Sequence, residues 1–121
     1  MSAPAAGCTT ADAEDLLGQL PAVTRGERQR YVRFQVAGST FAYSWPATST
    51  LGVKQLIADQ LGLVAERPHV FEVQFTAGAY GWVVIHLEGV ERDELAELIF
   101  EAWRLTAPDT VVEERADQLP T

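Results

Sequence analysis

The sequence predicts an α+β domain: an antiparallel sheet of about five strands with helices packed on one side. Three observations carry this reading. Side chains alternate with period two in residues 31–45, 70–75 and 82–87. Stretches with helical spacing come before, between and after those runs. No apolar run approaches the ~20 residues of a membrane span, and 121 residues are enough to bury one core without disulfides.

Taken in order, residues 1–8 are small and uncharged and are expected to form a disordered lead. Thr9 or Thr10 can cap a first helix, with Asp12, Glu14 and Asp15 in its opening turn. Leu16, Leu17 and Leu20 supply its buried stripe and Pro21 ends it. Arg25–Arg30 is polar enough to be a loop. Tyr31–Ala37 and Thr40–Trp45 form a hairpin around Gly38-Ser39, where a glycine at the first loop position fits a type II′ turn. That loop would set Val36 against Phe41, Phe34 against Tyr43 and Val32 against Trp45 on one face. The other face would carry Tyr31, Arg33, Gln35, Thr40, Ala42 and Ser44, toward solvent.

Leu51–Lys54 reads as a short third strand, and Gln55–Leu61 as a short helix with Gly62 as its C-cap. Val70–Phe75 places Phe71, Val73 and Phe75 on one face, and Thr76–Gly81 is a glycine-bearing turn. In Trp82–Leu87, Val83, Ile85 and Leu87 form a wholly apolar set, opposite Trp82, Val84 and His86. Gly89 permits a turn, after which Leu95, Leu98, Ile99 and Ala102 recur at helical spacing, widened by Phe100 and Trp103. Glu91, Asp93 and Glu94 suit the positive end of that helix, and Pro108 closes it. The single domain is expected over residues 9–108, with 109–121 an acidic tail, partly ordered at best.

Net charge is −8, which counts against nonspecific binding to polyanions. The charge is uneven. Residues 25–67 carry six bases against three acids, whereas residues 68–121 carry three bases against eleven acids. A basic middle between acidic ends suits either a local anion site or a solvated charged surface. The candidate nucleic-acid contacts are Arg25, Arg28, Arg30 and Arg33, with Lys54 and Arg67 as additions and Tyr31 as a stacking face.

Chemistry-bearing motifs are absent: no G-x-S-x-G, no phosphate-cradling glycine run before a helix, no H-E-x-x-H and no C-x-x-C. His69 and His86 have no Asp, Cys or His at ligand spacing, and Cys8, the only cysteine, stands in the expected lead. The chain is therefore expected not to be an enzyme and to hold no metal, cofactor or small-molecule ligand. Trp45, Tyr80, Trp82 and Trp103 could line a pocket, although aromatics at strand and helix spacing usually belong to a core. With no secretory n-region and no membrane span, a cytoplasmic location without membrane contact is the default.

The Leu20-Pro21-Ala22-Val23-Thr24 segment, the Phe34-to-Ala42 hairpin and the strand ending at Lys54 before a short helix together resemble the MmcQ/YjbR-like family. So does Gly81-Trp82-Val83 through Glu101-Ala102-Trp103-Arg104-Leu105-Thr106-Ala107-Pro108. The similarity covers roughly residues 10–108. It implies a CyaY-like fold and membership of a group of small bacterial proteins commonly labelled DNA-binding. Many members carry a basic stretch before the central tryptophan. Here Ala77–Trp82 holds no base, so a phosphate contact from that stretch is lacking. By the same resemblance, the acidic ridge Glu94, Glu97 and Glu101 invites comparison with the iron-binding ridges of frataxin-type proteins, against the simpler reading of a solubilising face. Two functions are therefore carried forward. One is DNA or other nucleic-acid binding through the arginine-bearing hairpin region. The other is a protein-interaction module using the acidic helix face or the outer hairpin face.

Overall fold

The structure, a computed structural model, describes residues 7–114. An antiparallel sheet of six strands is crossed on one side by helices. The strands are β1 (Val23–Glu27), β2 (Val32–Val36), β3 (Ser39–Trp45), β4 (Thr50–Leu56), β5 (Phe71–Ala77) and β6 (Tyr80–His86), in spatial order β1-β2-β3-β4-β6-β5. The helices are α1 (Thr10–Gly18), α2 (Ile57–Glu66), α3 (Arg92–Thr106) and α4 (Asp109–Glu114). The α+β class agrees with expectation, and the sheet has one strand more than expected. No helix among the described residues is long and apolar enough to cross a membrane.

The helices are held by burying one set of side chains each against the same sheet face. Thr9 caps α1 in a capping box with Asp12, so two otherwise orphaned backbone donors are satisfied reciprocally. Ala13 and Leu17 then face inward, fully buried. Arg92 at the start of α3 reaches Asp12 and Asp15 at 2.7 and 2.5 Å, tying α1 to α3. In α3, Leu95, Ile99, Ala102 and Trp103 are buried, and the Trp103 indole donates to the Pro21 carbonyl at 3.0 Å. From the sheet, Val83, Ile85, Leu51, Val53, Phe34 and Val36 meet them, with Leu87 just past β6. The buried Gln55 and Gln60 amides donate to backbone carbonyls, Leu98 for Gln55 and Phe75 and Trp82 for Gln60, so no buried amide nitrogen is left unpaired there.

Several expectations are corrected. The polar stretch read as a loop from Arg25 begins inside the edge strand β1, where charge and a glycine guard an exposed edge. The hairpin turn is Ala37-Gly38, both with positive φ (50° and 81°), one residue earlier than expected. Gln35 pairs with Thr40 but Phe34 with Ala42, so Phe41 is an extra residue, a β-bulge. The bulge reverses the outer half of β3. Phe41, Ala42 and Ser44 turn inward, and Tyr43 and Trp45 turn outward. The third strand runs on to Leu56, and Gly62 lies inside α2 rather than capping it. A second irregularity at Gln74 separates Phe71, which is buried, from Phe75, which is exposed.

At the N-terminal side, Gly7 and Cys8 belong to the fold and not to a disordered lead. The Cys8 N–H donates to the Leu87 carbonyl at 2.8 Å and its buried thiol lies 3.4 Å from the Val90 carbonyl. Burial pushes this thiol's pKa up, and the nearby Asp12 charge adds to the effect. The rest of the expected lead, residues 1–6, lies outside the described residues. At the other end, α4 takes up the first part of the expected tail, with Val111 and Val112 against the core, and residues 115–121 lie outside the described residues.

Candidate nucleic-acid interface

Strand register sorts the side chains by face. Gly26, Arg33, Tyr43, Gly52, Val84 and Glu72 are successive partners across all six strands, and they form one row on the face turned away from the helices. Trp45, Thr50 and His86 form the next row, and Lys54, Trp82 and Phe75 another. Among the described residues no helix covers this face.

It carries a continuous run of rings. Trp45 meets Tyr31 at 4.8 Å between centroids, Tyr31 meets Tyr43 at 5.6 Å, Tyr43 meets Trp82 at 5.4 Å, and Trp82 stacks on Phe75 at 5.3 Å. Rings at these separations attract one another beyond their area burial. Trp82, held between Tyr43 and Phe75, is only 6% exposed, whereas Phe75 is 42% exposed and the others lie between. The Gln74 side chain folds over the bare surface of Gly52 within the row, and its carbonyl oxygen is buried with no partner among the described residues.

The expected cationic residues divide into two groups. Arg25 pairs in register with Phe34, so it points to the helix side, lies over the Phe34 ring, and bonds Glu14 at 2.8 Å and Glu27 at 3.2 Å. The Glu14 bond foremost raises its pKa. Arg67 follows α2, lies over Phe71 and pairs with Glu94. Both are held by carboxylates away from the open face, and the structure does not bring them to the others.

Arg28, Arg30, Arg33 and Lys54 differ. Among the described residues these four cations have no carboxylate partner, while Arg67 and Arg104 each have one and Arg25 and Arg92 each have two. All four stand on or at the rim of the open face. Lys54 sits 4.1 Å from the centre of the Tyr80 ring, a cation–π contact, and burial lowers its pKa. Arg30 and Arg28 border a cleft of about 860 Å³ whose floor includes Tyr31 and Trp45. Acids by contrast sit mainly on the helices. By register the open face holds Glu72, paired with His86.

Sequence reasoning finds the arginines, Tyr31 and the place of Trp82 opposite the apolar set of its strand, but misses Tyr43 and Phe75 on this face, because the bulges that turn them outward break simple alternation. The bulge in β3 shows only in the structure, where Phe41 and Ala42 are adjacent and both fully buried. Trp103, also weighed as pocket-lining, is core. On the opposite side, the acidic ridge is partly neutralised: Glu94 pairs with Arg67 and Glu101 with Arg104. Among the described residues no group of three or more His, Cys, Asp or Glu side chains could hold a metal ion.

Comparisons with known proteins agree with this architecture. The crystal structure of Deinococcus radiodurans protein DR2400, which carries the DUF419 domain, superimposes with a TM-score of 0.74 at 19% identity, covering 98% of this chain and 94% of that one. At that identity the likeness speaks for the fold alone. No curated protein matches the sequence. The model of the YjbR family matches residues 18–105, and the chain therefore belongs to the YjbR family.

Proposed function

We propose that the protein is a non-enzymatic binding module that takes single-stranded nucleic acid on the open face of its sheet. One observation carries the reading. The four described cations without carboxylate partners flank the row of rings on the face that no described helix covers. Bases stack on aromatic side chains whatever their sequence, and guanidinium and ammonium groups track the phosphates. Net charge of −8 does not oppose this locally, since the helices on the far side carry most of the acids. A duplex hides its base faces, so the rings favour a single strand.

Fluorescence anisotropy of labelled single-stranded and double-stranded DNA, at low and at near-physiological salt, tests the reading. Single-strand binding in the micromolar range should weaken as salt rises, and the duplex should bind less well. Equal binding of both forms would remove the stacking role of the rings, and absence of binding at low salt would remove the reading itself.

A protein partner is the second reading, and it too has an observation in its favour. Leu56, Leu61, Val73 and Phe75, in β4, α2 and the edge strand β5, are large apolar side chains exposed at 39%, 57%, 50% and 42%.

A further inference from the structure

The row of rings ends at Tyr31 and Trp45, and beside them opens the cleft of about 860 Å³. Its two sides are the turn between β1 and β2 and the short helical turn Pro46–Thr48 that follows β3. Both sides are held in place. The Arg28 N–H donates to the Tyr31 carbonyl at 2.8 Å, closing the first turn. The Ser49 N–H donates to the Pro46 carbonyl at 3.2 Å, closing the second, and the Ser49 carbonyl accepts from the Leu87 N–H at 3.1 Å. A cleft with such walls is preformed, so little ordering of the chain opposes binding in it.

The lining divides by chemistry. Tyr31 and Trp45, their ring planes inclined at 39°, offer aromatic surface, and Pro46 and Ala47 add apolar surface. Arg28 and Arg30 bring two guanidinium groups, both exposed. Glu27, the one acid on the lining, is bonded to Arg25 at 3.2 Å. The volume lies within the range of small-molecule pockets, about 300–1,000 Å³.

Aromatic surface beside guanidinium groups without counter-ions is complementary to a planar ring that carries an anion. The ring stacks, and the guanidinium groups hold phosphate oxygens through paired hydrogen bonds. We infer that the cleft holds one nucleotide unit, its base against Tyr31 and Trp45 and its phosphate on Arg28 and Arg30, whether the unit comes free or within a strand. The inference rests on the single-strand reading and gives it a seat for one nucleotide. A strand lying along the rings delivers that unit where the row ends.

The experiment titrates the full chain with adenosine 5′-monophosphate and follows the tryptophan indole signals in a 1H–15N correlation spectrum. The Trp45 signal should move to saturation, while Trp82 and Trp103, which do not line the cleft, stay in place. Adenosine, without the phosphate, and ribose 5-phosphate, without the base, should each bind about tenfold more weakly. In Arg28→Gln/Arg30→Gln the advantage of the monophosphate over adenosine should vanish. Ala47→Glu, at an exposed position, gives the arginines a carboxylate and should abolish the Trp45 shift. A short single-stranded oligonucleotide distinguishes the two sources. A Trp45 shift with the oligonucleotide but not with the monophosphate, lost again in Ala47→Glu, would assign the seat to a unit held within a strand. A bound oligonucleotide that leaves Trp45 stationary, or a Trp45 shift that survives in Ala47→Glu, would overturn the cleft site and leave the rest of the open face standing. A Trp45 shift with the monophosphate and no oligonucleotide binding at low salt would instead strike the single-strand reading and leave the cleft.

Discussion

Changing Tyr31 and Trp45 together to alanine should weaken single-strand binding by tenfold or more. Stacking of one base on an aromatic side chain contributes about 1–3 kcal/mol, and these two rings lie at the end of the row, 4.8 Å apart, bordering the cleft. Both are only half-buried, so their loss costs the fold less than loss of Trp82, which is 6% exposed between two neighbours. The salt dependence should stay as it is, because every cation remains in place. The Arg28→Gln/Arg33→Gln pair should behave in the opposite way, flattening the slope of log affinity against log salt by about 0.7 for each phosphate that is no longer neutralised. Titrations of both variants at several salt concentrations separate the two contributions. Unchanged affinity in the aromatic variant would reduce the rings to a structural role.

The largest effect on stability should come from Trp103→Ala. This indole is fully buried between α3 and the segment that follows α1. Its truncation removes a large apolar volume and strands the Pro21 carbonyl, which has the indole N–H as its side-chain donor. Truncating a buried tryptophan costs about 3–5 kcal/mol. A domain's whole stability is about 5–15 kcal/mol, so the variant should stand near the edge of unfolding. Trp103→Phe keeps most of the apolar volume and gives up the hydrogen bond, and should lie clearly between. Urea denaturation of the three proteins measures this through the midpoint at constant slope. A loss below about 1 kcal/mol for the alanine variant, the size of an ordinary surface substitution, would mean that this end of α3 does not hold the core together.

The contrast between these two tryptophan environments shows what the sequence can and cannot say. Trp103 is legible as part of the stripe with Leu95, Ile99 and Ala102, because helical spacing survives any tertiary detail. Val83, Ile85 and Leu87 are legible for the equivalent reason in a strand. Trp45 is expected on the wrong face. Its assignment depends on counting by twos from a turn: the turn at Ala37 and Gly38 moves the partners by two residues and keeps their face, whereas the bulge at Phe41 inserts one residue and exchanges it. A one-residue slip in a strand exchanges its faces entirely. The same mechanism acts at Gln74, where the irregular register hides the exposure of Phe75 from simple alternation.

The charged residues are illegible for another reason. Arg25, Arg28, Arg30 and Arg33 look alike in sequence, yet strand alternation and distant acids separate them. Glu14, eleven residues earlier, takes Arg25 to the helix side, and Glu94, in α3, takes Arg67. Which cation stays unpaired is decided by tertiary partners, and local sequence does not carry that information. The approach of Arg28 and Arg33 to the bare backbone of Gly26 depends likewise on Gly26 facing Arg33 across two strands.

The three tryptophans offer the most direct test of the open face. Trp45 and Trp82 stand on it, and Trp103 lies on the helix side of the sheet, fully buried. In a 1H–15N correlation spectrum of the full chain, titrated with a short single-stranded oligonucleotide, the indole signals of Trp45 and Trp82 should move, assigned by Trp→Phe replacement. The Trp103 signal should stay where it is. Stationary Trp45 and Trp82 signals under saturating oligonucleotide, or shifts centred on Trp103 and the acidic side of α3, would contradict binding across the sheet.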